Sequence, residues 1–165
     1  MLKDSTIEQA ANQLGDLLFL RGQTVVTAES CTGGWVAKAL TDRAGSSAYV
    51  LGGLVTYSNI MKRELLQVSA ENLARDGAVS ESVVRQMVAG ALTASGADFA
   101  SAISGVAGPG GGSDDKPVGT VWFAWGAPSS GIIANRCHFE GDRDAVRRQS
   151  VVYALQGLTD FVQKL

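Results

Sequence analysis

Thr24-Val-Val-Thr-Ala-Glu-Ser-Cys-Thr-Gly-Gly-Trp35 is the stretch that decides the fold. Thr24 to Ala28 is β-branched and apolar, which predicts a short buried strand. Glu29 to Gly34 reads as a turn, and Trp35 to Thr41 as a helix. Strand, tight turn and helix in that order are the opening of a parallel α/β unit. Upstream, Ile7, Ala10, Ala11, Leu14, Leu17 and Leu18 recur at helical intervals after Ser5 and Glu8, which have capping-box spacing. Gly22 stops that helix.

Downstream, Tyr49 to Tyr57 reads as a second strand, and Gly52-Gly53 inside it predicts a bulge or a close backbone approach. Ser58 caps a short helix from Asn59 to about Leu66. Ser80 caps a longer one, with Val83, Val84, Met87, Val88, Ala91 and Leu92 as its apolar stripe and Gly96 as its stop. Asp98 to Ser104 is a third strand. Gly119–Trp125 and Ile132–Phe139 are two more, antiparallel because their link is short. A last helix runs from about Asp142 to the end. The order predicts one domain over residues 1–165, an α/β/α sandwich around a mixed sheet of about five strands.

Composition agrees. At 165 residues the chain buries roughly two-thirds of its unfolded surface. A net charge of -2 lacks the basic footprint of a nucleic-acid binder. No apolar run is long enough for a membrane span. Without a visible signal sequence, Cys31 and Cys137 read as reduced thiols of a cytoplasmic protein.

Ser30 sits where a strand gives way to a helix, where unpaired N–H groups favour an alkoxide, an oxyanion or a phosphate. It is either a helix cap or a nucleophile. Gly33-Gly34 lets a ligand come close to the backbone. A serine needs a base, and the only histidine, His138, lies in a strand beside Cys137 with no aspartate pattern to complete a triad. Lys62 is better placed. At the start of the helix capped by Ser58 it faces the positive end of the dipole, and burial would lower its pKa further. Otherwise it is a solvated surface lysine. Tyr57 either shares that site or fills core. Cys31 is a rival nucleophile, its thiolate favoured at a helix start.

The loop from Gly105 to Gly119 is neither a dinucleotide nor a Walker motif, and is either a pocket wall or lid or a plain surface loop. Arg143 and Arg147, four apart, share a helix face and either clamp an anion or pair with Asp142 and Asp144. One His and two Cys without ligand spacing make no zinc site.

Thr27–Gly34, Gly53–Asn59, Gly77–Ser80, Ile103–Pro109, Lys116–Val121 and Gly141–Arg143 resemble, in order, segments of the CinA C-terminal domain family, over nearly the whole chain. The nearest resemblance is to its stand-alone members, which hydrolyse the amide of nicotinamide mononucleotide. That implies a Ser/Lys amidohydrolase without metal or cofactor, with Ser30 as nucleophile and Lys62 as base. Tyr57 assists, Ser104 and Gly105 line the pocket and Arg143 lies near the substrate. Backbone groups near Cys31 and Thr32 would hold the oxyanion, while Arg143, Arg147 and Gly33-Gly34 compete for the phosphate. The resemblance also implies a homodimer. Many family members carry a larger N-terminal domain with pyrophosphatase activity; this sequence begins directly at the first helix, so that activity is not expected of it. The alternative is a paralogue that binds a nucleotide without turning it over.

Overall fold

The computed structural model describes residues 3–165. Five strands form one mixed sheet in the order β2-β1-β3-β4-β5. Three are parallel: β1 (Val25–Glu29), β2 (Val50–Val55) and β3 (Phe99–Gly105). β4 (Thr120–Ala127) and β5 (Gly131–His138) add antiparallel. On one face pack α1 (Asp4–Arg21), α2 (Trp35–Thr41) and α6 (Arg143–Gln163). On the other lie α3 (Asn59–Leu66), α4 (Ala70–Asp76) and α5 (Glu81–Ser95). The expected α/β/α sandwich with five strands is what forms.

β3 shows why both faces carry helices. Phe99 and Ile103 point into the core under α1 and α6, while Ala100 and Ala102 point to the α5 side. All are buried, as a central strand covered on both faces requires. The small residues on the α5 side let that helix sit close to the sheet.

Gly53 answers the question posed by the strand glycines. A Cβ there would stand 2.7 Å from Ala37 Cβ and 2.8 Å from Thr27 Oγ1, so α2 and β1 crowd it. The register between β1 and β2 also shifts, from Val25 opposite Val50 to Val26 opposite Gly52. Gly90, in the middle of α5, is a close approach with no sequence signal. A Cβ would lie 2.0 Å from Leu66 O, so α3 is seated directly on α5.

Several expectations are corrected. The Ser5–Glu8 capping box does not form: α1 begins at Asp4, behind Lys3, and Ser5 lies within the helix. Asp4 supplies negative charge in the first turn instead and pairs with Arg148. Ser80 stands at its cap position, but its hydroxyl donates to Gly77 O rather than capping. α4, capped by Ser69, was not anticipated, because it has no buried residue and hence no apolar stripe. The second strand is shorter than Tyr49–Tyr57. Tyr49 is buried core, and Thr56-Tyr57 leaves the sheet.

Candidate active site

The C-terminal ends of the parallel strands supply the site. Ser30 follows β1, Thr56-Tyr57 follow β2, and Ser104-Gly105 close β3. β1 is flanked by β2 on one side and β3 on the other, so the chain reverses its direction of winding here. The crevice at such a switch point is where open α/β sheets take ligands.

Ser58 caps α3 by accepting from Met61 N at 3.2 Å. That fixes the helix so that Lys62 reaches back under the β2 end. Lys62 is 1% exposed, and its Nζ contacts Ser30 Oγ at 2.8 Å, Thr56 O at 2.8 Å and Tyr57 O at 3.1 Å. No carboxylate is among these contacts. Burial lowers its pKa from the ordinary 10.5 to about 8. Burial, rather than the helix dipole, is the leading cause. At pH 7 about one molecule in ten then carries the neutral amine. A neutral amine has two N–H donors and one lone pair. Thr56 O and Tyr57 O take the donors, which leaves the lone pair for the Ser30 hydroxyl proton.

The turn that holds Ser30 is fixed from beneath by Glu29, which the sequence reading passed over as a turn residue. Its fully buried carboxylate accepts from Thr32 Oγ1 at 2.7 Å, Val36 N at 2.9 Å, Ala37 N at 2.9 Å and Thr27 Oγ1 at 3.0 Å. It accepts from the otherwise unpaired N–H groups at the start of α2, the end of a helix where the dipole favours negative charge. Its sequence signal was a carboxylate at the end of an apolar strand, with N–H groups of a helix to follow. Ser30 N donates to Ile103 O and Gly33 N to Ser30 O, each within 3.0 Å. Among the described residues, Cys31 N–H and Thr32 N–H have no protein acceptor.

A cleft of about 310 Å³ opens over Ser30 and Lys62, and Cys31, Tyr57, Ser104, Gly105 and Arg143 also line it. The Gly-rich loop forms its far wall through Val106 to Gly111, tied down by Val106 N to Thr120 O and Gly119 N to Val106 O. Arg143 closes the mouth: its guanidinium donates to Gly108 O at 2.8 Å and to the Tyr57 hydroxyl at 3.1 Å. The Tyr57 side chain is 61% exposed, and the part of Tyr57 that touches Lys62 is its carbonyl.

Other candidates lie elsewhere. Thr32 is buried against Glu29, and Gly33, Gly34 and Arg147 line a separate depression with Trp35. Arg147 and Arg143 therefore form no joint clamp. Cys31 is not poised as a thiolate, since burial pushes its pKa up to about 12. His138, on the open edge of β5, faces Glu140 at 3.3 Å. Among the described residues no group of three or more His, Cys, Asp or Glu is placed to hold a metal, and no helix is long and apolar enough to cross a membrane.

Comparison with known proteins fits this picture. The model of the CinA C-terminal domain matches residues 7–162. The chain is 58% identical over 158 residues to nicotinamide-nucleotide amidohydrolase PncC of Escherichia coli K12, covering 95% of each. It is 54% identical to PncC of Pseudomonas putida, covering 92% of this chain and 94% of that one. A CinA superfamily protein of Klebsiella pneumoniae superposes with a TM-score of 0.92 at 45% identity, over 96% of this chain and 99% of the other. With nearly its whole length matched in sequence and in backbone, the chain belongs to the CinA C-terminal domain family.

Proposed function

We propose that this protein hydrolyses the carboxamide of nicotinamide mononucleotide, giving nicotinate mononucleotide and ammonia, through a Ser30 acyl-enzyme with Lys62 as base. The observation that carries the reading is the 2.8 Å contact between a buried, carboxylate-free Lys62 amine and Ser30 Oγ. The names of the relatives supply the substrate. In the first half-reaction Lys62 takes the Ser30 proton and Oγ attacks the carboxamide carbon. Cys31 N–H, on a residue that lines the cleft, receives the developing oxyanion. The Lys62 ammonium returns the proton to the departing nitrogen, which leaves as ammonia. In the second, Lys62 takes a proton from water, hydroxide attacks the ester carbon, and Oγ leaves reprotonated.

Tyr57 and Arg143, joined at the cleft mouth, are the groups in reach of the sugar and phosphate. Ser104 and Gly105 form the floor beside the ring. The reading extends to recycling of pyridine nucleotides in the cytoplasm. It also extends to a homodimer, for which the exposed apolar side chains Leu51, Val55, Ile60, Met61 and Leu65 around the β2 edge speak. Sedimentation velocity checks the dimer.

Incubating the purified protein with nicotinamide mononucleotide tests the activity. Equimolar ammonia and nicotinate mononucleotide are expected. Thermal stabilisation by the nucleotide without ammonia would mark a binding module instead.

A further inference from the structure

Arg147 lies outside the cleft, yet it is bonded to the turn that carries Ser30. Its Nε donates to Cys31 O at 3.0 Å and its Nη2 to Thr32 O at 3.2 Å. Its guanidinium is also 5.4 Å from the centre of the Trp35 ring, which braces it from outside.

The consequence follows from peptide geometry. In a trans peptide the N–H points opposite to its C=O, and the turn contains no cis bond. Thr32 N–H shares its peptide with Cys31 O, so the Nε bond sets its direction, away from the guanidinium. Cys31 N–H shares its peptide with Ser30 O, which is held by Gly33 N at 3.0 Å. Gly33 N–H in turn shares its peptide with Thr32 O, which the Nη2 bond holds. The Cys31 N–H, on the residue that lines the cleft, is therefore aimed by that guanidinium through one intervening peptide. A cation on a carbonyl also polarises its N–H towards stronger donation.

We infer that Arg147 is a positioning residue that fixes and polarises the Cys31 N–H group for the oxyanion, and is not a phosphate ligand. This rests on the acyl-enzyme reading above. It explains why an arginine four residues from Arg143 turns away from the cleft that Arg143 closes. A positioned oxyanion donor acts on the transition state more than on bound substrate, so its loss falls on kcat.

The test is Arg147→Met and Arg147→Lys with nicotinamide mononucleotide, beside labelling of Ser30 by a fluorophosphonate read by intact mass. The label forms a bond from Ser30 Oγ to phosphorus, expels fluoride and carries no nucleotide. Arg147→Met is expected to lose on the order of 10²-fold in kcat, with KM within about threefold, and to label correspondingly slowly. Arg147→Lys, able to reach only one carbonyl, should recover part of both rates. Should Arg147→Met lose its cooperative thermal transition, Arg147→Lys decides by the same split. A raised KM with unchanged kcat, or labelling at the wild-type rate, overturns the assignment. A wild type that labels equally well as Ser30→Ala overturns the acyl-enzyme reading itself.

Discussion

Lys62 Nζ and Ser30 Oγ lie 2.8 Å apart in the buried floor of the cleft, though 32 residues separate them in sequence. Two backbone carbonyls, of Thr56 and Tyr57, complete the amine's surroundings. The rate of a base held this way follows its deprotonated fraction. kcat/KM is expected to rise with pH, with an apparent pKa near 8, and to level off above it. A pH–rate profile between pH 6 and 10 checks this; a flat profile contradicts it.

The same lowered pKa bears on stability. The unfolded chain holds the Lys62 proton up to its ordinary 10.5, the folded one only to about 8. Between those values the unfolded state binds more protons, so unfolding free energy rises with pH there, and the cost of the buried charge is fully present below about 8. The wild type should therefore gain thermal stability relative to Lys62→Met from pH 8 to 10. Parallel melting curves across that range would contradict it.

Glu29→Gln keeps the shape but turns one acceptor oxygen into a donor amide facing groups that themselves donate. Each carboxylate oxygen now accepts one hydroxyl and one N–H. The substitution is expected to cost about 2–3 kcal/mol in urea unfolding and to slow turnover by loosening the Ser30 turn. Unchanged stability would show that the carboxylate charge is not needed at the start of α2.

Cys31→Ala should keep turnover within about threefold, because the thiol is buried and its pKa is pushed up to about 12. Loss of activity on the scale of Ser30→Ala would restore Cys31 as the nucleophile.

Gly90→Ala would place a Cβ 2.0 Å from Leu66 O, at the end of the helix that carries Lys62. A loss of about 1–3 kcal/mol is expected, the ordinary cost of overpacking a well-packed contact, together with a fall in kcat as α3 shifts. Stability equal to wild type would mean that α3 moves freely on α5.

What the sequence shows of this arrangement is uneven, for physical reasons. Strand, turn and helix from Thr24 to Thr41 are local, and periodicity with turn chemistry reads them to within a residue. The Ser58 cap is local as well. α4 gave no stripe because none of its residues is buried. Arg143 and Arg147 do share a helical spacing, yet α6 runs past the Gly-rich loop first and the Ser30 turn next, so each meets a different carbonyl. Ser30 follows β1 while Lys62 lies on α3, beyond β2, and no spacing rule connects those. The helix start after Ser58 singles out Lys62 as a candidate base, with a solvated surface lysine as the alternative, and the family resemblance chooses between them. Glu29 went unread because its partners are spread over β1, the turn and the first residues of α2, which starts six residues later.

Ammonia release from nicotinamide mononucleotide by the wild type, Ser30→Ala and Lys62→Met, each with a metal chelator present, tests the central claim most directly. The account predicts steady release by the wild type, unaffected by the chelator, and a loss of on the order of 10³-fold or more in either variant while each stays folded. Near-normal release by Ser30→Ala or Lys62→Met, or no release by the folded wild type, would contradict it.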